Sequence, residues 1–396
     1  MIYLDNAATT RMSSVAINTM SLYMEEIYGN PSSLHSVGQR AMEALSDARV
    51  RMAGLLGCEA GEITFTSGGS EADNQAILSA AYFGGKKGKK HIISTAFEHH
   101  AVLHTLDKLK KEGFEVTLLP VSEDGMIRPK QVEEAMRPDT CLVTVMYANN
   151  EIGTIQPISE IGKLCREKGV LFHTDAVQAV GHLRIDVKAE NIDMLSLSAH
   201  KFHGPKGVGA LYVRKGIPLT NIIEGGAQER GKRGGTENVP GIMGMVAALE
   251  EAVATLEQNQ KRITALRDKL IQGLSAISYG VLNGDRKQRL PGNVSFCFEG
   301  IEGEAMLLLL DDKGICASSG SACTSGSLDP SHVLLAIGRP HEIAHGSLRL
   351  TLSEENTEEE IDIAIKAVEE VVAYLRSISP VWRDLESGKI NHVIER

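Results

Sequence analysis

Between residues 60 and 213 the chain alternates repeatedly between a short β-rich run and a stretch of helical character. The runs are EITFT at 62–66, HIIST at 91–95, EVTLL at 115–119, CLVTVM at 141–146, VLFHT at 170–174, DMLSL at 193–197 and VGALYV at 208–213. Strands separated by helical crossovers pair in parallel, because a parallel neighbour needs a long return connection. The stretch therefore predicts an α/β protein built on a seven-stranded, mostly parallel, doubly wound sheet. Ligands of such sheets lie beyond the carboxyl ends of the strands, so the residues just past each run are where chemistry is expected.

The rest of the chain reads differently. A long helical pattern covers 239–275, strand-like NVSFCF and GSLRLTL stand at 293–298 and 346–352, and a final helix opens at Thr357 with Glu360 three residues on, a capping box. Ile361, Ala364, Ile365, Val368, Val372 and Leu375 form its apolar stripe. We expect a large domain over 14–258 and a smaller α+β domain made of 1–13 and 259–396. The latter holds ASSGSACTSGS at 317–327, eleven small uncharged residues that include Cys323 and cannot bury enough apolar surface to fix themselves. A mobile loop is expected there.

Charge excludes one class of partner. With 41 Lys and Arg against 51 Asp and Glu, the chain lacks the basic excess that phosphate-backbone binding requires, so nucleic acid is not expected. MIYLDNAATT has neither a basic nor an apolar leader region, and the longest apolar runs, such as AMLLLL at 305–310, are far too short to span a membrane. A cytoplasmic protein is expected. The cysteines show no C-x-x-C spacing. Cys58, Cys141, Cys165 and Cys297 read as buried small hydrophobes, and so does Cys316.

Single residues after the strands are weak signals, but together they point one way. Asp175 stands just past the run 170–174 with Gln178 a helical turn on, and the run 193–197 leads into SAHK at 198–201. Alone, Asp175 would be an ordinary helix-capping acid and Lys201 a solvated lysine. A lysine and a carboxylate facing one crevice suit pyridoxal phosphate: the amine forms a Schiff base and the acid keeps the ring nitrogen protonated. TSGGSE at 66–71 opens a helix after a strand, where the Gly69 and Ser70 amides and the Ser70 hydroxyl could hold a phosphate, with Ser198 and His200 completing the cradle. His99, after the run 91–95, offers an imidazole to stack on the ring, and Asn150 of YANNEIGTIQP offers an amide.

These motifs, with YLDNAATT at 3–10, GNPSSLH at 29–35, SAHKFHGPKGVGALY and SSGSACTSGSL, resemble the NifS/IscS-type cysteine desulfurases, pyridoxal phosphate enzymes of the aspartate aminotransferase fold (fold type I). The resemblance spans nearly the whole chain. It implies that Lys201 carries the cofactor, His99 stacks on it, Asp175 pairs with the pyridine nitrogen, Gln178 and Asn150 meet the ring oxygen side, and Ser70, Ser198 and His200 hold the phosphate. It further implies a homodimer in which Thr236 reaches the neighbouring subunit's phosphate, and an Arg349 that clamps the carboxylate of L-cysteine. Cys323 would take the sulfur as a persulfide, with His99 as proton acceptor, and pass it to an acceptor protein such as an iron–sulfur scaffold. A selenocysteine lyase, or another lyase using the same cofactor, is the alternative within this group.

Two other motifs are set aside. HEIAH at 341–345 matches a zinc-protease signature, but Pro340 before it and Gly346 after it leave room for no more than two helical turns. GAQERGKR at 226–233 approaches a nucleotide-binding loop, yet Arg233 stands where Ser or Thr must hold magnesium. No metal is expected.

Overall fold

The computed structural model describes residues 1–319 and 330–394. Strand β1 (Ile2–Tyr3) opens the chain and pairs outside the main sheet. Strands β2 (Ile63–Thr66), β3 (His91–Thr95), β4 (Glu115–Leu119), β5 (Thr140–Thr144), β6 (Leu171–Asp175), β7 (Met194–Ser198) and β8 (Gly209–Val213) form the seven-stranded sheet, in the order β2-β8-β7-β6-β5-β3-β4. All neighbours are parallel except β8, which runs against both β2 and β7. The expected doubly wound α/β architecture is the one observed. From β3 the chain winds outward to β4 and then returns to β5 on the other side, so a crevice opens beyond the carboxyl ends of β3, β5 and β6.

Alternation along the strands sorts residues between two apolar layers. Val143, Phe172, Leu195, Leu197 and Tyr212 enter one layer, while Leu142, Met194, Leu211 and Val213 enter the other. Helices α1 (Ser14–Glu25) and α2 (Ser36–Leu56) contribute to the first layer, and α3 (Gly69–Gly85) and α4 (His100–Lys111) to the second. The same period of two places Thr144, His173, Asp175, Ser196 and Ser198 on the face that α3 covers.

The edge strand β2 offers free backbone groups on its outer side, and side chains close them. Glu229 accepts from the Phe65 N–H at 3.0 Å, and the Ile63 carbonyl accepts from Arg49 at 2.9 Å and from Arg230. Arg49 and Glu229 are themselves joined by two hydrogen bonds of 2.7 and 2.6 Å. A protected edge cannot recruit a foreign strand.

The helical pattern over 239–275 is two helices, Val239–Ala254 and Leu256–Leu274, bent by 73°. Thr255 stands at the bend, where its hydroxyl donates to the Glu251 carbonyl at 2.9 Å, a back-bond that tilts a helix. The first helix packs in the main core. The second joins a separate cluster with β10 (Asn293–Phe298), β12 (Ser347–Thr351) and the helix Glu358–Ile378. Strand β9 (Gly280–Leu282) completes a three-stranded antiparallel sheet there, and β1 pairs in parallel with β11 (Ile315–Cys316). The final helix starts with the expected capping box at Thr357 and Glu360.

After β1 the chain turns back along β12. Thr351 N–H donates to the Leu4 carbonyl at 2.7 Å, and the Thr351 hydroxyl accepts from Ala7 N–H at 2.8 Å. Residues 5–10 then run to the end of β7, where Thr10 N–H meets the His200 carbonyl at 2.9 Å. Cys141, Cys165 and Cys297 are buried as expected, but Cys58 and Cys316 are only half-buried. Cys58 follows the left-handed Gly57 that ends α2, and Cys316 lies on a two-residue strand, so neither has a complete layer above it. Among the described residues no single helix is long and apolar enough to cross a membrane.

Candidate active site

A cavity of about 380 Å³ lies at the carboxyl end of the main sheet, lined among others by Lys201, Asp175, His99, Arg349, Ser70 and Asp73. Ser70 and Asp73 come from α3, His99 from the segment after β3, Asp175 from the end of β6, Lys201 from the turn after β7 and Arg349 from β12. Asp175 is the last residue of β6 rather than the first beyond it, as the sequence suggested, and its Oδ1 accepts from the Val177 N–H at 2.9 Å. Burial pushes its carboxyl above the usual range, against the pull of His99 and Lys201. Lys201 ends the single turn Ala199–Lys201 that follows β7, and its Nζ donates to the carbonyls of Ala7 and Ala8 at 2.6 and 2.9 Å. Gln178 donates to the same Ala7 carbonyl at 3.0 Å. The N-terminal segment thus forms one wall, a role that sequence reading missed.

His99 caps α4, with Nδ1 accepting from the Ala101 N–H at 3.1 Å. Nδ1 is then an acceptor, which leaves the proton of the neutral ring on Nε2. Behind it Glu98 is fully buried and its carboxyl is pushed up to about 8 by desolvation, so it is neutral at pH 7. His200 bonds the Thr9 hydroxyl through Nδ1 at 3.1 Å, and burial, helped by Lys201 and Lys206, lowers it to about 4. It therefore acts as a neutral imidazole.

The turn before α3 is shaped for close approach. Gly68 has φ +152° and ψ −175°, a conformation essentially restricted to glycine. A Cβ on Gly69 would stand 2.5 Å from Val177 Cγ2. With Ser70, Ser198 and His200 around it, this glycine turn at a helix start supplies N–H and O–H donors without a basic side chain, the donor set an anionic phosphate takes.

Arg349, on β12, is 3% exposed. Its guanidinium pairs with Asp5 at 2.9 Å and donates to the Asn150 carbonyl at 3.3 Å, while its buried Nε has no partner. Asn150 also lines the cavity, whereas its neighbour Asn149 is structural, accepting from the Glu151 and Ile152 N–H groups. A guanidinium that lines a cavity beside the Lys201 amine suits a small carboxylate. The fit to pyridoxal phosphate is thus good: a carboxylate, an amine, an imidazole and an anion cradle converge on one space of suitable size.

Two predicted residues stand apart. Thr236 is exposed on the segment between β8 and the helix Val239–Ala254, outside the cavity. Cys323 lies outside the described residues. Both flanks of its segment are tied to the site. Ser318 exchanges backbone hydrogen bonds of 3.1 and 2.6 Å with Arg349, and Ser331 bonds the buried carboxyl of Glu151. His332 meets the Glu98 carbonyl at 2.9 Å. Asp73 was also missed, although it interrupts the apolar side of α3 formed by Ala72, Ala76, Ile77 and Ala80. HEIAH forms only the short helix His341–Ala344, far from the lengths that present two zinc ligands on successive turns.

Residues 2–363 match the family model for aminotransferase class-V. The cysteine desulfurase IscS of Clostridium botulinum strain Hall is 53% identical over 391 residues, 98% of each chain. IscS of Methanosarcina thermophila is 54% identical over 380 residues, covering 96% of this chain and 94% of that one. Among solved structures, a NifS-like protein superposes with a TM-score of 0.89 at 40% identity, covering 94% of this chain and all of the other. SspA in complex with cysteine does so with a TM-score of 0.78 at 37% identity, over 89% and 99% of the two chains.

Proposed function

Because the chain belongs to the aminotransferase class-V family and is a pyridoxal phosphate-dependent cysteine desulfurase, we propose a division of work among the residues of its cavity. Lys201 is the amine that joins the cofactor, Asp175 faces the pyridine nitrogen, and His99 covers the ring. Gly69, Ser70, Ser198 and His200 hold the phosphate, and Gln178 and Asn150 the ring oxygen side. Pyridoxal phosphate, when bound, supplies an aldehyde and a ring that draws electrons from the bonds of an attached amino acid. The convergence of Lys201, Asp175, His99 and Arg349 on one cavity carries this reading.

Each residue has a definite task. The Ala7 and Ala8 carbonyls accept from Lys201, holding its nitrogen at the cavity wall. Arg349 offers its guanidinium to the carboxylate of L-cysteine, a planar match that lysine lacks. With Nδ1 occupied by a backbone N–H, His99 exchanges its proton through Nε2. Cys323 receives the sulfur. Since only a thiolate attacks and a thiol with ordinary pKa is a few per cent ionised at pH 7, a base must take its proton.

We further propose a two-domain division, 14–258 against 1–13 with 259–396, which is supported by the separate apolar cluster that Ile2 and Leu4 share with residues between Ile263 and Leu375. The chain works as a homodimer, with Thr236 reaching across to the partner, and delivers sulfur to an acceptor such as an iron–sulfur scaffold in the cytoplasm. Exposed Val15, Ile17, Met24, Tyr28, Leu34 and Val50 on and around α1 and α2 favour a covered face there. A visible spectrum before and after adding L-cysteine, with sulfide and alanine measured together, tests the reading. Cys323→Ala should keep the cofactor band and lose sulfide release, and undiminished sulfide would remove Cys323 from the mechanism.

A further inference from the structure

Asp73 is a buried acid with no task in the mechanism proposed for the cavity. It projects from the first turns of α3 into the cavity wall, is 1% exposed, and its Oδ1 has no hydrogen-bond partner. Oxygens of Asp73 and Asp175 and a ring nitrogen of His99 lie within 4.8 Å of one another. Two carboxylates this close, out of water, do not both ionise; one keeps a proton. The surroundings decide which. Asp175 is fixed by the Val177 N–H and faces Lys201 and His99, which favour its anion.

Asp73 has no such support. From β6, His173 approaches its Oδ1 at 3.6 Å, but that imidazole is fully buried, already bonded to the Thr144 and Ser196 hydroxyls at 2.8 and 3.0 Å, and burial lowers it to about 3. It is neutral. From the segment after β3, Glu98 adds a further acid, and from β7 Ser196 offers only a hydroxyl. His99, from the segment after β3, brings a ring nitrogen within 4.8 Å of both carboxyls, but only Asp175 has the Val177 N–H and the pull of Lys201 as well.

We infer that Asp73 holds the proton of a buried carboxyl pair and donates it to Asp175, fixing the orientation of the carboxylate that faces the cofactor. The inference rests on the proposed role of Asp175 opposite the pyridine nitrogen. Burial, and after it the charge of Asp175, drives the Asp73 carboxyl well above the carboxylate range, in the same direction. Asp73 is thus a positioning residue. Its acid form leaves a single negative charge beneath the ring and presents it through one anchored group.

Infrared difference spectra of the holoenzyme at neutral pH test this directly. Wild type minus Asp73→Asn should show the carbonyl stretch of one protonated carboxyl; a difference confined to carboxylate bands overturns the inference. Asn retains an N–H donor, so the cofactor dissociation constant should stay within about threefold, whereas Asp73→Ala should raise it about tenfold or more. An Ala variant that binds as tightly as wild type also overturns it. Asp175→Asn is measured alongside. If its visible band is unshifted, the assignment of Asp175 fails; if the band shifts while Asp73→Asn loses no protonated carboxyl, only the role of Asp73 fails.

Discussion

Replacing Glu229 by alanine exposes how the edge of the main sheet is held. The Glu229 side chain is 2% exposed and that of Arg49 is 12% exposed, and the two are joined bidentately at 2.7 and 2.6 Å. Removing one partner of a buried pair strands the other charge, at a cost of about 3–5 kcal/mol. The Phe65 N–H loses its acceptor as well, a further penalty of about 1–3 kcal/mol for a group cut off from water. The two losses share one carboxylate and overlap, so a total near 4 kcal/mol is expected. An unfolding entropy of about 2.1 cal/mol/K per residue over 396 residues gives about 0.8 kcal/mol/K, so the melting temperature should fall by about 5 °C. Urea denaturation followed by circular dichroism measures the loss from the midpoint shift at a common slope. The paired variant Arg49→Met with Glu229→Leu should recover part of it, because no unpaired charge remains although the Phe65 N–H still lacks its acceptor. A single-variant loss under about 1 kcal/mol, or a paired variant no better than the single, would refute the reasoning.

The site and its supports yield three further expected outcomes. His203, two residues after Lys201, pairs with Glu354 at 3.3 Å. Burial opposes charge on both, but each partner outweighs it, raising His203 above its ordinary 6.5 and lowering Glu354 from 4.5 to about 2. The histidine's contribution is complete below 6.5 and fades as pH climbs through its raised value, while that of the glutamate is complete above 4.5 and fades towards 2. The stability loss of Glu354→Gln, about 1 kcal/mol for a partly exposed pair, should therefore peak between pH 4.5 and 6.5 when followed by melting temperature. A loss that is flat with pH up to 9 would contradict the pairing. Gly69→Ala should weaken cofactor binding about tenfold by pressing on Val177, and adding Val177→Ala should restore it; equilibrium titration of the cofactor decides. Arg349→Lys should raise the KM for L-cysteine about tenfold or more while leaving the cofactor band in place, and an unchanged KM would remove the clamp.

The large sheet was legible because its strands are apolar, short and evenly spaced, and the period of two carries Asp175 and Ser198 to one face without further information. Lys201 and His99 were likewise legible from their places just past a strand, and Arg349 from the family resemblance. Contacts between distant segments were not legible. Nothing in NAATT announces that its carbonyls will hold Lys201, since that contact depends on Thr351 and His200 capturing the segment. Asp73 left a signal, an acid among Ala72, Ala76 and Ile77, that a search for strand ends passes over. The bend at Thr255 was hidden because the helical pattern runs on through it, and a hydroxyl bond to the Glu251 carbonyl leaves no periodic signal. Cys58 and Cys316 show the limit of reading a thiol as a hydrophobe, since burial depends on what lies above the strand or helix end.

The union of residues 4–7 with Thr351 also sets an order of events during synthesis. Synthesis is vectorial, so residues 4–7 are made some 340 residues before Thr351, and the wall that holds Lys201 lacks that anchor until Thr351 has joined them. A truncated or half-made chain could build the seven-stranded sheet and still lack the lip that grips the lysine. Reactive aldehyde chemistry would then be confined to chains in which β12 has already been made.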